Sequence, residues 1–201
     1  HDKIKLIPNG IEKFIEKDKP QHLLEKYNNP EKVVLFVARI VKYKGAQDII
    51  KAIPKITQQY PNTKFIFVGQ DQGYKKELLR ISGELNVQDK CIFTGRVNNL
   101  EDYYNLADVF VLPSKGEGFG LSPVEAMSVS VPCVLVDMGG LKYILKEIGG
   151  CPIDMNKNIP EQIATHITNI FQNPPDMSEI KEKTKAYTWE IIAQKTVQIF
   201  E

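Results

Sequence analysis

Unbroken apolar runs of five or six residues recur along the chain, each followed by a loop and then by a helical period. VVLFVAR at 33–39 is rich in β-branched residues and shows no polar alternation, the pattern of a strand buried on both faces. KFIFVG (64–69), CIFTG (91–95), DVFVLP (108–113) and PCVLVD (132–137) repeat it, and IKLIPNG (4–10) reads as an edge strand ending in a turn. AQDIIKAIPKITQQY, YKKELLRISGELN, LEDYYNLA (100–107) and LSPVEAMSV (121–129) carry helical periodicity. Pro54 is expected to kink the first of these or break it late, and Asn99 stands as the cap of the third. Further helices are expected around 140–147, 160–171, 177–186 and 189–200.

Strands alternating with helices imply βαβ units and a parallel sheet, and right-handed crossovers put helices on both of its faces. The expectation is a doubly wound, Rossmann-like α/β sheet of about six strands, with residues 1–201 forming one domain. No Gly-, Ser- or Pro-rich linker divides the chain and no internal repeat is visible. Composition fits this picture: 42% of residues are apolar, and 26 Lys and Arg against 25 Asp and Glu leave a net charge of +1. That balance speaks against a nucleic-acid binder relying on bulk phosphate attraction. It leaves room for one local cationic pocket. No apolar run approaches the length of about 20 residues that a membrane span needs, and no leader peptide is visible. His1 in place of Met suggests a fragment. Cys91, Cys133 and Cys151 are odd in number and far apart, so they read as buried thiols of a cytoplasmic protein.

Ligands of such sheets sit at the carboxyl ends of the strands, which singles out loops 39–45, 69–73, 94–99, 113–121 and 137–141. Loop 39–45, RIVKYKG, brings Arg39 and Lys44, with Lys42 between, to the start of a helix. Two cations beside free helix N–H groups make an anion site; the alternative is a pair of solvated surface charges. Loop 113–121, PSKGEGFGL, sets Glu117 among Gly116, Gly118 and Gly120. A carboxylate would repel phosphate, so Glu117 suits sugar hydroxyls better, unless the segment is simply a flexible turn. Ser122-Pro123-Val124-Glu125 has the form of a capping box with Pro at the first helical position, so Glu125 is either a cap or a ligand contact. A dinucleotide fingerprint fails at Leu121, where glycine is needed, and no P-loop is present. His1, His22 and His166 have no metal-ligand spacing, so no metal and no cofactor are expected.

The string PSKGEGFGLSPVEAMSVSVPCV resembles the signature of the retaining glycosyltransferases of family 4, in which two glutamates have seven residues between them, here Glu117 and Glu125. LIPNGI, VARIVKYKG, FIFVGQDQG, IFTGRV and YTWEIIAQKTVQIF are similar to the family's other motifs in the same order, so the likeness covers nearly the whole chain. The resemblance implies the C-terminal, donor-binding half of a GT-B fold, with the acceptor-binding N-terminal domain as its missing partner. It implies a nucleotide-diphosphate sugar as donor and a glycan or lipid-linked acceptor, with retention of configuration. The full-length enzyme would then work in the cytoplasm, against the inner face of the membrane if the acceptor is a lipid. On the family's pattern Arg39 and Lys44 hold the diphosphate, Glu117 meets the donor sugar and Glu125 the ribose hydroxyls. Backbone near Val97 meets the base, and Gly118, Phe119, Gly120, Leu121 and Ser122 meet sugar and phosphate. Arg39, Lys44 and Glu117 would carry the catalysis.

Two positions depart from the pattern: Ser130 stands where glycine is usual, and Tyr143 where glutamate often follows the Gly139-Gly140 pair. A sugar-nucleotide epimerase of the same shape and a non-catalytic nucleotide-binding module are the competing readings.

Overall fold

A computed structural model describes residues 6–199. Six parallel strands form one sheet: β1 (Lys32–Val37), β2 (Thr63–Val68), β3 (Cys91–Gly95), β4 (Val109–Leu112), β5 (Cys133–Val136) and β6 (Cys151–Ile153). Their spatial order is β3-β2-β1-β4-β5-β6, the doubly wound Rossmann order. The apolar runs behave as both-face-buried strands should. Val33, Val34, Leu35 and Phe36 of β1 and all four residues of β4 and of β5 are buried. Phe36, Phe67 and Phe93 sit side by side across β1, β2 and β3, with ring centroids 5.8 and 4.9 Å apart.

The helices are α1 (Gln21–Lys26), α2 (Ala46–Gln59), α3 (Lys75–Glu84), α4 (Leu100–Leu106), α5 (Leu121–Ser128), α6 (Gly139–Glu147), α7 (Ile159–Gln172), α8 (Ser178–Thr184) and α9 (Trp189–Val197). α2 packs on α3 and α7, and α5 on α8, so the sheet is flanked by helices. The face of α2 turned inward carries Ile49, Ile50, Ile53 and Ile56, a helical spacing of apolar residues.

Several expectations need correction. Residues 6–10 form no strand; Ile11 alone bridges to Thr188, and residues 4 and 5 lie outside the described residues. Pro8, which has no N–H to give a ladder, sits in the middle of that segment. The sixth strand is instead β6, whose Pro152 is tolerated because β6 lies at the sheet edge. α1 was not anticipated. Pro54 does not end α2, which continues to Gln59. Asn99 occupies the N-cap position of α4, but its amide donates to Asp102 Oδ2 at 2.7 Å and its side chain caps no backbone N–H. Of the three thiols only Cys133 is fully buried; Cys91 and Cys151 are half-buried. Burial pushes the Cys91 thiol up to about 12.

Candidate functional site

In the order 3-2-1-4-5-6, connections leave β1 and β4 in opposite directions, which opens a crevice beyond their carboxyl ends. The segment after β1 and the segment after β4 both run into it. A single 3-10 turn, Lys42–Lys44, follows β1 and ends on Gly45 in the left-handed region, φ +82°. A Cβ at Gly45 would lie 2.4 Å from the Pro113 carbonyl, so only glycine lets this turn press against the end of β4. The Lys115 N–H donates to the Tyr43 carbonyl at 2.9 Å and ties the two segments together.

The result is a cleft of about 440 Å³ lined by Asn9, Arg39, Lys44, Glu117 to Ser122 and Glu125. Arg39 also borders a second hollow of about 400 Å³, lined by Gly69, Gln70, Arg96, Val97 and Leu100 at the ends of β2 and β3. The two form one trough with Arg39 at its middle. It gathers every site residue expected from the sequence: Arg39, Lys44, Val97, Glu117, Gly118, Phe119, Gly120, Leu121, Ser122 and Glu125. Lys42 is the exception among the loop cations. It faces a larger hollow, about 590 Å³, between α2 and α3. There Arg80 is already paired with Glu77 and Glu84, and of the loop after β4 only Lys115 reaches it, none of Glu117 to Ser122.

The trough has its own charge arrangement. Lys44 Nζ donates to Glu117 Oε1 at 2.5 Å, both side chains being nearly buried. The cation and the carboxylate that the sequence assigns to different parts of a ligand are therefore partners of each other. Arg39 Nη2 donates to the Tyr43 hydroxyl at 2.8 Å and Nη1 to Gln72 Oε1 at 3.3 Å. Glu125 closes no capping box. Gly120 is the N-cap of α5 and no side chain caps it. Pro123 lies within the first turn, where its missing N–H costs no helical bond. Glu125 Oε2 instead accepts from the hydroxyl of Tyr104, a fully buried residue of α4, at 2.6 Å. Burial raises the Glu125 carboxyl above its ordinary range, and the Tyr104 bond pulls the other way. Its Oε1 has no hydrogen-bond partner among the described residues.

The loop after β4 is held from the far side too. The Gly140 N–H, in the first turn of α6, donates to the Glu117 carbonyl at 2.9 Å. A Cβ at Gly140 would stand 2.5 Å from the Gly118 carbonyl, so the second glycine of the 139–140 pair is the one packing demands. The first turn of α5 lines the cleft, and its free N–H groups place the positive end of the helix there. Reading the sequence missed Asn9, Tyr43, Gln72, Arg96 and Tyr104. Only Tyr43 had a local signal, its place between the two cations.

The profile of the family described as glycosyl transferases group 1 matches residues 14–187. The chain belongs to the group 1 glycosyltransferases. It is 34% identical to an uncharacterized glycosyltransferase of Methanocaldococcus jannaschii, over 99% of the chain and 54% of that protein. It is 32% identical to the alpha-monoglucosyldiacylglycerol synthase of Acholeplasma laidlawii, over 97% of the chain and 52% of that protein. This group 1 member thus spans about half the length of the curated relatives it matches. In fold it is similar to HepE of Anabaena, solved with UDP and glucose, at a TM-score of 0.86 and 21% identity over 98% of the chain and 56% of HepE. No helix among the described residues is long and apolar enough to cross a membrane.

Proposed function

We propose that this chain is the donor-binding, C-terminal half of a retaining GT-B glycosyltransferase. It holds a nucleotide-diphosphate sugar, and the complete enzyme passes the sugar to a glycan or lipid-linked acceptor. One observation carries the reading: Arg39, Lys44, the start of α5 and the two glutamates of the signature surround a single trough at the strand-order reversal. Membership of a transferase family favours transfer over epimerisation, and retention of both cations and both glutamates favours an enzyme over a bare binding module. The UDP in HepE and the glucosylated lipid in the name of the Acholeplasma relative support the donor and acceptor classes.

The chemistry is cleavage of the bond between the anomeric carbon and the diphosphate. The leaving diphosphate gains negative charge, which Arg39, Lys44 and the N–H groups at the start of α5 stabilise without a metal. Losing one such contact costs about two to three decades in rate. Glu117 receives the sugar hydroxyls together with the backbone of Gly118 to Ser122. Glu125, steadied by Tyr104, turns its free oxygen to the ribose, and the base lies in the hollow beside Val97. To reach Lys44, the diphosphate displaces the Glu117 carboxylate, which frees that group for the sugar.

A thermal-shift panel of UDP-, GDP- and ADP-sugars, run with and without EDTA, tests the reading. The matching donor at 100 times its dissociation constant stabilises the chain by about 2.7 kcal/mol in both conditions. The isolated chain then binds donor but transfers little sugar. No shift with any donor overturns the reading. A shift that appears only with added magnesium overturns its metal independence, and robust transfer to acceptor by the chain alone overturns the half-enzyme assignment.

A further inference from the structure

Arg39 is a long, flexible cation, yet its guanidinium is held at two points by neutral acceptors, the Tyr43 hydroxyl and Gln72 Oε1. A carboxylate in either place would cancel the charge. A phenol and an amide fix direction and leave the charge whole. Two of the five guanidinium N–H bonds are used, so about three remain for a ligand. Tyr43 also acts on the other cation. Lys44 Nζ lies 5.3 Å from the centroid of its ring, within cation–π range. The position of the ring is set by the chain around it. It lies against Gly116, where a Cβ would approach Tyr43 Cδ2 to 3.6 Å, and its own carbonyl takes the Lys115 N–H. The residue stays 42% exposed, so it is not there to fill the core.

We propose that Tyr43 is a positioning residue, using its hydroxyl on Arg39 and its ring face on Lys44 to aim both cations at one diphosphate. The role rests on the donor-site reading above, because it presumes an anion between the two cations. Nothing in the periodicity of the segment calls for an aromatic residue at the middle of a one-turn loop. Its position, one residue before Lys44 and four after Arg39, is what lets one side chain reach both.

The experiment is titration calorimetry of the 201-residue chain with UDP, GDP and ADP, each beside its nucleoside. Tyr43→Phe keeps the ring and removes the bond to Arg39. It is expected to melt with the parent, to weaken the diphosphate that binds by about three- to tenfold, and to leave the nucleoside unchanged. Tyr43→Leu, which also removes the ring face, is expected to lose more. In an Arg39→Ala background the same Tyr43→Phe change is expected to cost less than about twofold, since the group it positions has gone. A merely structural tyrosine would show the same loss in both backgrounds, or equal losses for nucleoside and diphosphate. Either result, or parent-like affinity in Tyr43→Phe, overturns the proposal. If the parent binds none of the three nucleotides, the donor-site reading fails on its own. Inorganic pyrophosphate then decides for Tyr43: unchanged affinity in Tyr43→Phe overturns its role, and a selective loss upholds it.

Discussion

Strands β1 to β3 and strands β4 to β6 meet at the same crevice and furnish it differently. The first set ends in turns that present side chains: Arg39, Tyr43, Lys44 and Arg96. The second set presents main chain and acid: the glycine-bearing loop, the start of α5, Glu117 and Glu125. A side chain at a strand end, unless it is paired across the crevice as Lys44 is with Glu117, can be exchanged with little harm to the fold, because its backbone stays put. A loop that works through its main chain is shaped by close approaches, and there an added methyl group is felt by the fold first. The division between charge on one side and shape on the other is what substitutions can break.

The largest effect is expected where the two sets join. Lys44→Ala leaves the nearly buried Glu117 carboxylate without its cation, at a cost of about 2–3 kcal/mol of stability. Removing both charges with Lys44→Met and Glu117→Gln together should cost less than Lys44→Ala alone. Urea unfolding compares the two, and a double variant at least as damaged as the single would show that the pair has no such coupling. Next comes the shaped side. Gly140→Ala drives a methyl group into the Gly118 carbonyl and should cost about 2 kcal/mol, whereas Gly118→Ala, with open space at its Cβ, should stay within about 0.5 kcal/mol. Equal melting temperatures for these two variants would remove the distinction.

Ser130 offers a smaller change, and a favourable one. It follows α5 as the left-handed residue of a Schellman turn, φ +63°, with the Val131 N–H on the Ala126 carbonyl and the Ser130 N–H on that of Met127. Ser130→Gly should gain about 1 kcal/mol by removing that strain, less whatever the exposed bond to Glu16 is worth. A lower melting temperature in the variant would show that the Glu16 bond outweighs the strain. The smallest effect concerns Glu125. Burial raises its folded value above the ordinary 4.5, so the folded chain holds this proton more tightly than the unfolded one. That contribution to stability is complete below 4.5 and is lost as pH rises through the folded value. Glu125→Gln abolishes it and still accepts from Tyr104. Its stability relative to the parent should therefore climb as pH rises from below 4.5 towards neutrality, while its nucleotide binding weakens. A gap that stays flat across this range would show that the carboxyl is not destabilised by burial.

The strands were legible because a sheet covered on both faces writes itself as unbroken apolar runs. β6 escaped because three residues with a proline in the middle make no such run, and IKLIPNG reads as a strand only because an apolar run does not reveal that Leu6 stays exposed and that the bridge, Ile11 with Thr188, falls just after the segment. Arg39 and Lys44 could be picked out because position at a strand end gives a local pattern a place in space. Ser122-x-x-Glu125 misled for the opposite reason. The local pattern was present, but Gly120 took the cap and a tyrosine from another helix took the carboxylate. The bond between Lys44 and Glu117 spans 73 positions and leaves no trace in either segment alone.

The hydrogen bond from the Gly140 N–H to the Glu117 carbonyl has a kinetic consequence. It pins the main chain at the residue whose carboxylate changes partners in the proposed donor complex, while nothing stands near the Cβ position of the next residue, Gly118. Glu117 can leave Lys44 by turning about its own side-chain bonds, with its main chain staying in place. Rotation of this kind is fast beside the microseconds to milliseconds of a closing lid. Diphosphate should therefore associate in a single exponential phase whose rate rises linearly with concentration in stopped-flow mixing. A plateau in that rate would reveal a slower loop rearrangement gating the cleft.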